Sequence, residues 1–332
     1  MSRGLPFALL LAALIASAPA SSADETLSGY AEYRHGDVLI VDGQRVRAGT
    51  GLRFKGEGEA RSFDSIPLGY EVKARGPRRA DGAILAREVE AKPNGRALFE
   101  NDLRSSFDQI EQRYRDAGHV YDEGEGGQRR DLGHLSESGP QVERVRAITR
   151  DLCPPYLHPE DFRVYVVDNE EWNAMAAPNR SIYVFLGLLN EMDDDEVAIV
   201  LGHELTHATH EHSRRVFKKQ ILIGLGAVAL TAAEGEIDNT GKRIGAQLAT
   251  LLVASALSNG YGRDQEDQAD RVGLRYAYEG GYAVRKGPKL WSRFAVKYGN
   301  HNSALNFFFG DHSVAEARAR NLQRELAINY RD

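Results

Sequence analysis

Four of the chain's ten histidines fall between positions 203 and 212, in the stretch LGHELTHATHEHSRR that begins at Leu201. His203 and His207 are four residues apart, and Glu204 follows the first of them. On a helix, positions i and i+4 project from one face, so the two imidazoles can share one Zn²⁺ at about 2.0–2.1 Å. Glu204, one position further round, can reach a water on that metal without ligating the metal itself. A solvated polar face would also gather histidines, but the preceding residues argue against it. Val197, Ile199, Val200, Leu201 and Leu205 make the segment apolar, and Asp193, Asp194 and Asp195 open it with charges that suit the N-terminal end of a helix dipole.

A catalytic zinc takes three protein ligands and keeps one position open. The stretch YGRDQEDQADRVGL offers the third. Glu266 and Asp270 are again i and i+4 on a helical pattern. Glu266 would complete a two-histidine, one-carboxylate set, and Asp270 could accept the outer N–H of a ligating histidine and so fix its ring. Asp264 and Asp267 fall on other faces and read as surface. The single cysteine, Cys153, excludes an intramolecular disulfide and a thiolate-rich zinc site. It stands at the end of a helical pattern and reads as a buried structural thiol rather than a nucleophile. A net charge of −6 without a basic block gives no electrostatic reason to expect nucleic acid.

The elements that must carry these residues fall into two domains, as 332 residues suggest. MSR followed by the apolar GLPFALLLAALIASAPA and small residues reads as a signal peptide over residues 1–23. It predicts export to a bacterial periplasm, with an uncleaved membrane anchor as the alternative. Residues 24–95 predict a small all-β, barrel-like accessory domain. Its β pattern runs from Tyr30 to Lys92, with hairpins turning at Asp42-Gly43 and near Asp81-Gly82. KPNGRA, from Lys92 to Ala97, reads as the boundary before a second domain at 96–332. There, residues 118–139 are rich in glycine and charge and read as a mobile surface loop with solvated His119 and His134. A helix is expected over Gln141–Leu152, and strands at Phe162–Asp168 and from Ser181. Between the two metal motifs lie two apolar stretches. Residues 221–233 are too few to span a bilayer, and 244–262 are near the threshold. They read as packed helices over the cleft, with peripheral membrane contact and a homo-oligomer surface left open.

From Glu143 to Arg324 the chain resembles metallopeptidase family 48, a group of gluzincins, and in particular its soluble periplasmic members. The resemblance rests on NAMAAPNRSIYVFLGLL, HELTHATHEHS, YGRDQEDQAD and DHSVAEAR, in that order. The chain departs from the family's usual glycine at Arg180 or Ser181 and from its proline at Ser313. The resemblance implies an α+β fold, a mostly helical zincin-type metallopeptidase domain with a small edge sheet. It implies that His203, His207 and Glu266 bind Zn²⁺, that Glu204 is the general base, and that Asp270 orients a ligand. His312 and Arg318 would face the substrate or the developing oxyanion. Asn173, Ala174 and Ala176, with the strand Ser181–Phe185, would take an extended peptide by β-addition. His210 is expected in solvent, and His212 in a structural hydrogen bond. The implied function is a zinc-dependent endopeptidase for unfolded or misassembled envelope polypeptides. The alternatives are a zinc-bound periplasmic chaperone or scaffold and a membrane-associated peptidase.

Overall fold

Asp42 and Gly43 adopt φ of 50° and 71°, the two-residue loop whose twist matches that of the strands it joins. It connects β2 (Val38–Val41) to β3 (Gln44–Gly56) in the register Val38↔Arg47 to Val41↔Gln44. With β1 (Asp24–His35), β4 (Glu71–Pro77) and β5 (Ile84–Lys92), these strands close into a barrel of order β1-β2-β3-β5-β4. β3 and β5 run parallel, and β4 pairs back onto β1 to leave no edge. Side chains alternate between the barrel interior and solvent. Val72 and Ala74 of β4 are buried, while Lys73 and Arg75 between and after them are exposed. Leu39, Val46, Ile84 and Val89 fill the same core. The barrel strand β1 starts earlier than the sequence pattern suggests, at Asp24.

The computed structural model describes residues 23–93, 100–123, 129–154, 157–210, 212, 261–298 and 315–330. The expected signal peptide lies outside the described residues up to residue 22, as do residues 94–97 of the expected boundary and 98–99 after it. Residues 221–233 and 244–260 of the two apolar stretches also lie outside them. Among the described residues no helix is long and apolar enough to cross a membrane.

After the barrel, a five-stranded sheet runs in the order β6 (His119–Glu123), β7 (Arg129–Ser136), β8 (Arg163–Val167), β10 (Ser181–Phe185), β9 (Ala174–Ala176). β6 and β7 overturn the reading of 118–139 as a mobile loop. They form an antiparallel hairpin whose Leu135 pairs with Val167 of β8. Burial of Val120, Leu132 and Leu135 holds it to the sheet, a spacing too sparse to stand out among the glycines and charges. His119 and His134 do face solvent, and His119 pairs with Asp131 at 3.0 Å.

The central strands are buried on both faces, which is why FRVYVVD and SIYVF read as near-continuous apolar runs. Val164, Val166, Ile182 and Val184 face one core, shared with α2 (Pro140–Leu152). Tyr165, Val167, Tyr183 and Phe185 face the other, with Phe107 and Tyr114 of α1 (Glu100–Ala117). Glu111 of α1 ties the second layer down. Arg163 donates to it at 2.7 Å through both Nε and Nη2, Ser181 and Asn179 donate at 2.7 Å, and the Tyr165 hydroxyl adds a further bond. Burial would raise the Glu111 carboxyl, but these donors outweigh it and hold the pKa below the usual range.

β10 stops at Phe185, where the short helix α3 (Leu186–Glu191) begins. Four helices complete the described fold: α4 (Asp194–Thr209), α5 (Arg263–Glu279), α6 (Gly287–Tyr298) and α7 (Ala315–Asn329). All pack on the α2 side of the sheet, in one core that includes Leu201, Val272, Trp291 and Leu322.

Candidate metal centre

Asp193 caps α4, its side chain accepting a hydrogen bond from the Glu196 amide, and an acidic first turn favourable to the helix dipole follows. Every residue from Val197 to His207 is buried, so this is a core helix rather than an amphipathic surface one. Its polar side chains must therefore find partners inside the protein. α5 supplies them because the two helices cross at a pair of glycines. A Cβ on Gly202 would come within 2.4 Å of the Gly273 carbonyl oxygen, and one on Gly273 within 2.4 Å of the His203 amide nitrogen. Only backbones without side chains approach so closely. The crossing sets Glu266 and Asp270 against His203 and His207.

Three potential ligand atoms converge there. The Nε2 atoms of His203 and His207 are 3.0 Å apart. Glu266 places Oε2 3.5 Å from the first and Oε1 3.4 Å from the second. A tetrahedral zinc with ligands at about 2.0–2.1 Å holds them about 3.3 Å from one another, so spacing and donor set both suit that ion. All three residues are buried and could hold a metal together. Burial, and then the nearby Arg318 cation, lower the pKa of His203, which keeps its ring in the neutral form that ligates.

Asp270 lies behind His203, with Oδ1 3.0 Å from Nδ1, the place expected for a carboxylate that orients a ligand. Arg318 is not on an open peptide-binding face, as the sequence suggests. It is 2% exposed and grips Asp270 with Nε at 2.9 Å from Oδ2 and Nη2 at 2.6 Å from Oδ1. Its guanidinium stacks on Trp291 at 3.5 Å, and Nη1 stands 3.8 Å from Glu266. Burial would raise Asp270, but the Arg318 charge and the hydrogen bonds from His203 and Arg318 hold it far below the usual carboxylate range.

His207 has a different surround. Tyr261 stacks on its ring at 3.8 Å between centroids, and its Nδ1 lies 2.9 Å from Nδ1 of His212. His212 is buried and hydrogen-bonded, in agreement with expectation. His210, expected in solvent, is fully buried, with Tyr30 of the barrel edge-on to its ring at 5.9 Å.

Glu204 is buried and is not among the convergent ligands. Burial, and then the Glu266 carboxylate, push its pKa well above the usual range. Its Oε2 accepts a hydrogen bond from the Ala176 amide at 3.2 Å. Ala176 belongs to β9, the last strand in the sheet order. The strand at the sheet's edge is thus β9, with Ala174 and Ala176, and not Ser181–Phe185, which is internal between β8 and β9. Asn173, just before β9, is buried and its carbonyl accepts from the Phe185 amide at 2.9 Å. Arg180, in the β9–β10 turn, has φ of 66°. That is the left-handed region glycine tolerates best, at one of the places where the family resemblance leads one to expect glycine. His312 lies outside the described residues. Cys153 is half-buried, with burial pushing its thiol up to about 11, a structural thiol and no thiolate at neutral pH.

The sequence reading did not single out Gly202, Gly273, Tyr261 or Trp291. The small residue immediately before His203 and its counterpart on α5 were a usable signal for close helix crossing. The two aromatic rings carried none.

The fold and the site define a metallopeptidase-type centre: a carboxylate-bearing helix pair that offers two imidazoles and a glutamate beside the edge of a sheet. Residues 140–326 match the family described as Peptidase family M48, and the chain belongs to that family. It is 27% identical over 199 residues to the mitochondrial metalloendopeptidase OMA1 of Bos taurus, covering 57% of this chain and 38% of the relative. It is 26% identical over 169 residues to metalloprotease YcaL of Escherichia coli, covering 51% and 63%. A third relative, the beta-barrel assembly-enhancing protease of Yersinia pestis, is 26% identical over 142 residues, covering 40% and 28%. The chain thus spans less than two thirds of each of these proteins.

Proposed function

We propose that this protein is a zinc-dependent endopeptidase that hydrolyses unfolded or misassembled envelope polypeptides after export directed by residues 1–23. One observation carries the reading. Three buried ligand atoms converge beside a fourth buried group, Glu204, that stays off the ligand set and is hydrogen-bonded to the edge strand. A purely structural metal site has no use for such a carboxylate, which favours a peptidase over a zinc-bound scaffold.

His203, His207 and Glu266 would hold the zinc, which when bound lowers the pKa of its water toward 7 and polarises the scissile carbonyl. Glu204 takes up a proton at its carboxylate and returns it to the leaving nitrogen. The Ala176–Glu204 hydrogen bond keeps the base in fixed relation to β9, so an extended peptide added to β9 would present its backbone to the base whatever its side chains. Asn173, Ala174 and Ala176 form that peptide-binding edge. Arg318 acts from behind, through Asp270, on the orientation of His203. His312 is assigned oxyanion donation on the family resemblance.

The test is zinc content and casein cleavage, with and without o-phenanthroline, for wild type and Glu204→Gln. One zinc in both proteins is expected, with chelator-sensitive cleavage in wild type only. Zinc-loaded wild type that fails to cleave would leave the scaffold reading standing, and an active Glu204→Gln variant would remove the base from Glu204.

A further inference from the structure

A buried chain of hydrogen bonds links His207 to the N-terminal barrel, and we infer that the barrel carboxylate Glu32 is a positioning residue of the metal centre. The inference rests on the reading of His207 as a zinc ligand and assigns the barrel a part in that site.

The chain is best followed from its far end. Glu32, on β1, is 1% exposed. Its Oε2 accepts from the Gly43 amide at 2.9 Å, and its Oε1 accepts from Arg271 Nη2 at 3.0 Å and from Gln268 Nε2 at 2.8 Å. The same Gln268 nitrogen also donates to Asp42 Oδ1 at 3.1 Å. Ionised carboxylates only accept hydrogen bonds, so the two barrel acids dictate which way the Gln268 amide points. Its NH₂ faces the barrel and its oxygen faces His212. That oxygen is 2.9 Å from Nε2 of His212, which must therefore carry a proton. The other nitrogen of His212 is then bare, and it lies 2.9 Å from Nδ1 of His207. His207 must donate there, which leaves its Nε2 lone pair aimed at His203 and Glu266. Reversing any one link sets two acceptors or two protons face to face in a dry interior, where unsatisfied polar groups are costly.

The barrel turn is shaped for this contact. A Cβ on Gly43 would come within 2.9 Å of the Arg271 guanidinium carbon, so glycine there both permits the turn and admits the cation that neutralises Glu32. Another barrel contact lies off this chain of hydrogen bonds. Arg275 stacks over Tyr33 at 5.1 Å, which docks the barrel on α5 without joining the chain. The barrel, expected from the sequence to be an accessory module, is on this inference an outer layer of the metal centre.

The test is a zinc titration of the full-length chain against a chelating indicator, with thermal melts of each metal-free variant. Glu32→Ala and Gln268→Leu should each raise the zinc Kd about 10-fold, the low end of effects from groups behind a ligand. Glu32→Gln keeps an acceptor oxygen and should recover most of the loss. Arg275→Gln breaks a docking contact off the chain and should bind zinc as wild type does. The Glu32→Ala/His212→Ala double variant should lose no more than His212→Ala alone, because links of one chain do not add. Wild-type Kd in Gln268→Leu, or an equal loss in Arg275→Gln, overturns the proposal, and both measurements stand even if Glu32→Ala fails to fold. Wild type that binds no zinc overturns the peptidase reading instead.

Discussion

The two imidazoles of the centre sit one helical turn apart, yet they are held by opposite kinds of chemistry. Behind His203 stands a charged pair, Asp270 and Arg318, both buried and both within the family-matched region. Behind His207 stands a neutral relay, His212 and Gln268, that ends on a carboxylate in the barrel. A buried ion pair is costly to desolvate and very costly to break, because each partner strands the other. A neutral relay strands no charge when it is cut, so it costs less to lose than an ion pair, but it transmits orientation only while every member is in place. On the proposed reading, the difference teaches that one ligand would be fixed by the peptidase fold itself and the other by how a second module is seated. Variants that cut one arm at a time break or sharpen that contrast.

The largest effect should come from the charged arm. Arg318→Ala leaves Asp270 buried without its cation, and we expect a loss of about 3–5 kcal/mol in urea unfolding of the metal-free protein. His212→Ala, which cuts the neutral arm, should cost about 1–3 kcal/mol in the same assay. Equal losses would mean that the two arms do not differ in kind.

Glu111 provides a control, a buried and multiply bonded carboxylate whose partners Arg163, Asn179 and Ser181 lie outside the candidate metal centre. Glu111→Gln should destabilise by roughly 2–3 kcal/mol, as hydrogen bonds to a charged group are lost, with no change in zinc Kd. The pH dependence has a definite sign. The folded-state pKa of Glu111 is depressed, so its contribution is present above the unfolded value of about 4.3 and is lost as pH falls toward the lower folded value. The stability gap between wild type and Glu111→Gln should therefore narrow below about pH 4. A gap independent of pH would show that the charge is not what the donors hold.

Asp270→Asn addresses the charged arm through binding rather than folding. It keeps the size of the side chain but removes its charge, and should weaken zinc binding about 10–100-fold. If its zinc Kd matches wild type, orientation of His203 comes from helix packing alone.

The legible part of this site is the part that helix periodicity dictates. His203 and His207, like Glu266 and Asp270, must share a helix face at a spacing of four, with Glu204 one position on from the first, and that spacing is visible in a bare sequence. The Asp42-Gly43 turn is equally visible, since few residue pairs take positive φ at both positions. What stayed hidden depends on the third dimension. Arg318 reaches Asp270 from a different helix, and nothing in DHSVAEAR says that its charge is spent inside the protein. Gln268 and Glu32 meet across 236 positions of sequence, and each looks like a surface residue in its own helix or strand. His210 reads as solvated until Tyr30 covers it. The hairpin at 119–136 hid for a different reason: its apolar residues are few, and pairing with β8 supplies the rest of its stability.

The smallest expected effect concerns β9, the edge to which Glu204 is bonded, and asks whether site geometry depends on the turn beside it as well as on the two arms. Arg180 holds φ of 66° in that turn. For a residue with a Cβ this conformation costs about 1–2 kcal/mol. Its guanidinium is paired with Asp161 at 2.5 Å and stands over Phe162 at 5.8 Å. Partly exposed pairs of this kind return about 0–1 kcal/mol. Arg180→Gly relieves the strain and loses the pair, so its net stability should stay within about 1 kcal/mol of wild type. Arg180→Ala loses the pair and keeps the strain, so it should fall below the glycine variant by roughly 1 kcal/mol in chemical denaturation. Zinc Kd should be unchanged in both, because neither arm touches this turn. Alanine as stable as glycine would show that the turn is not strained, and a shift in zinc affinity would make β9 a third support of the centre.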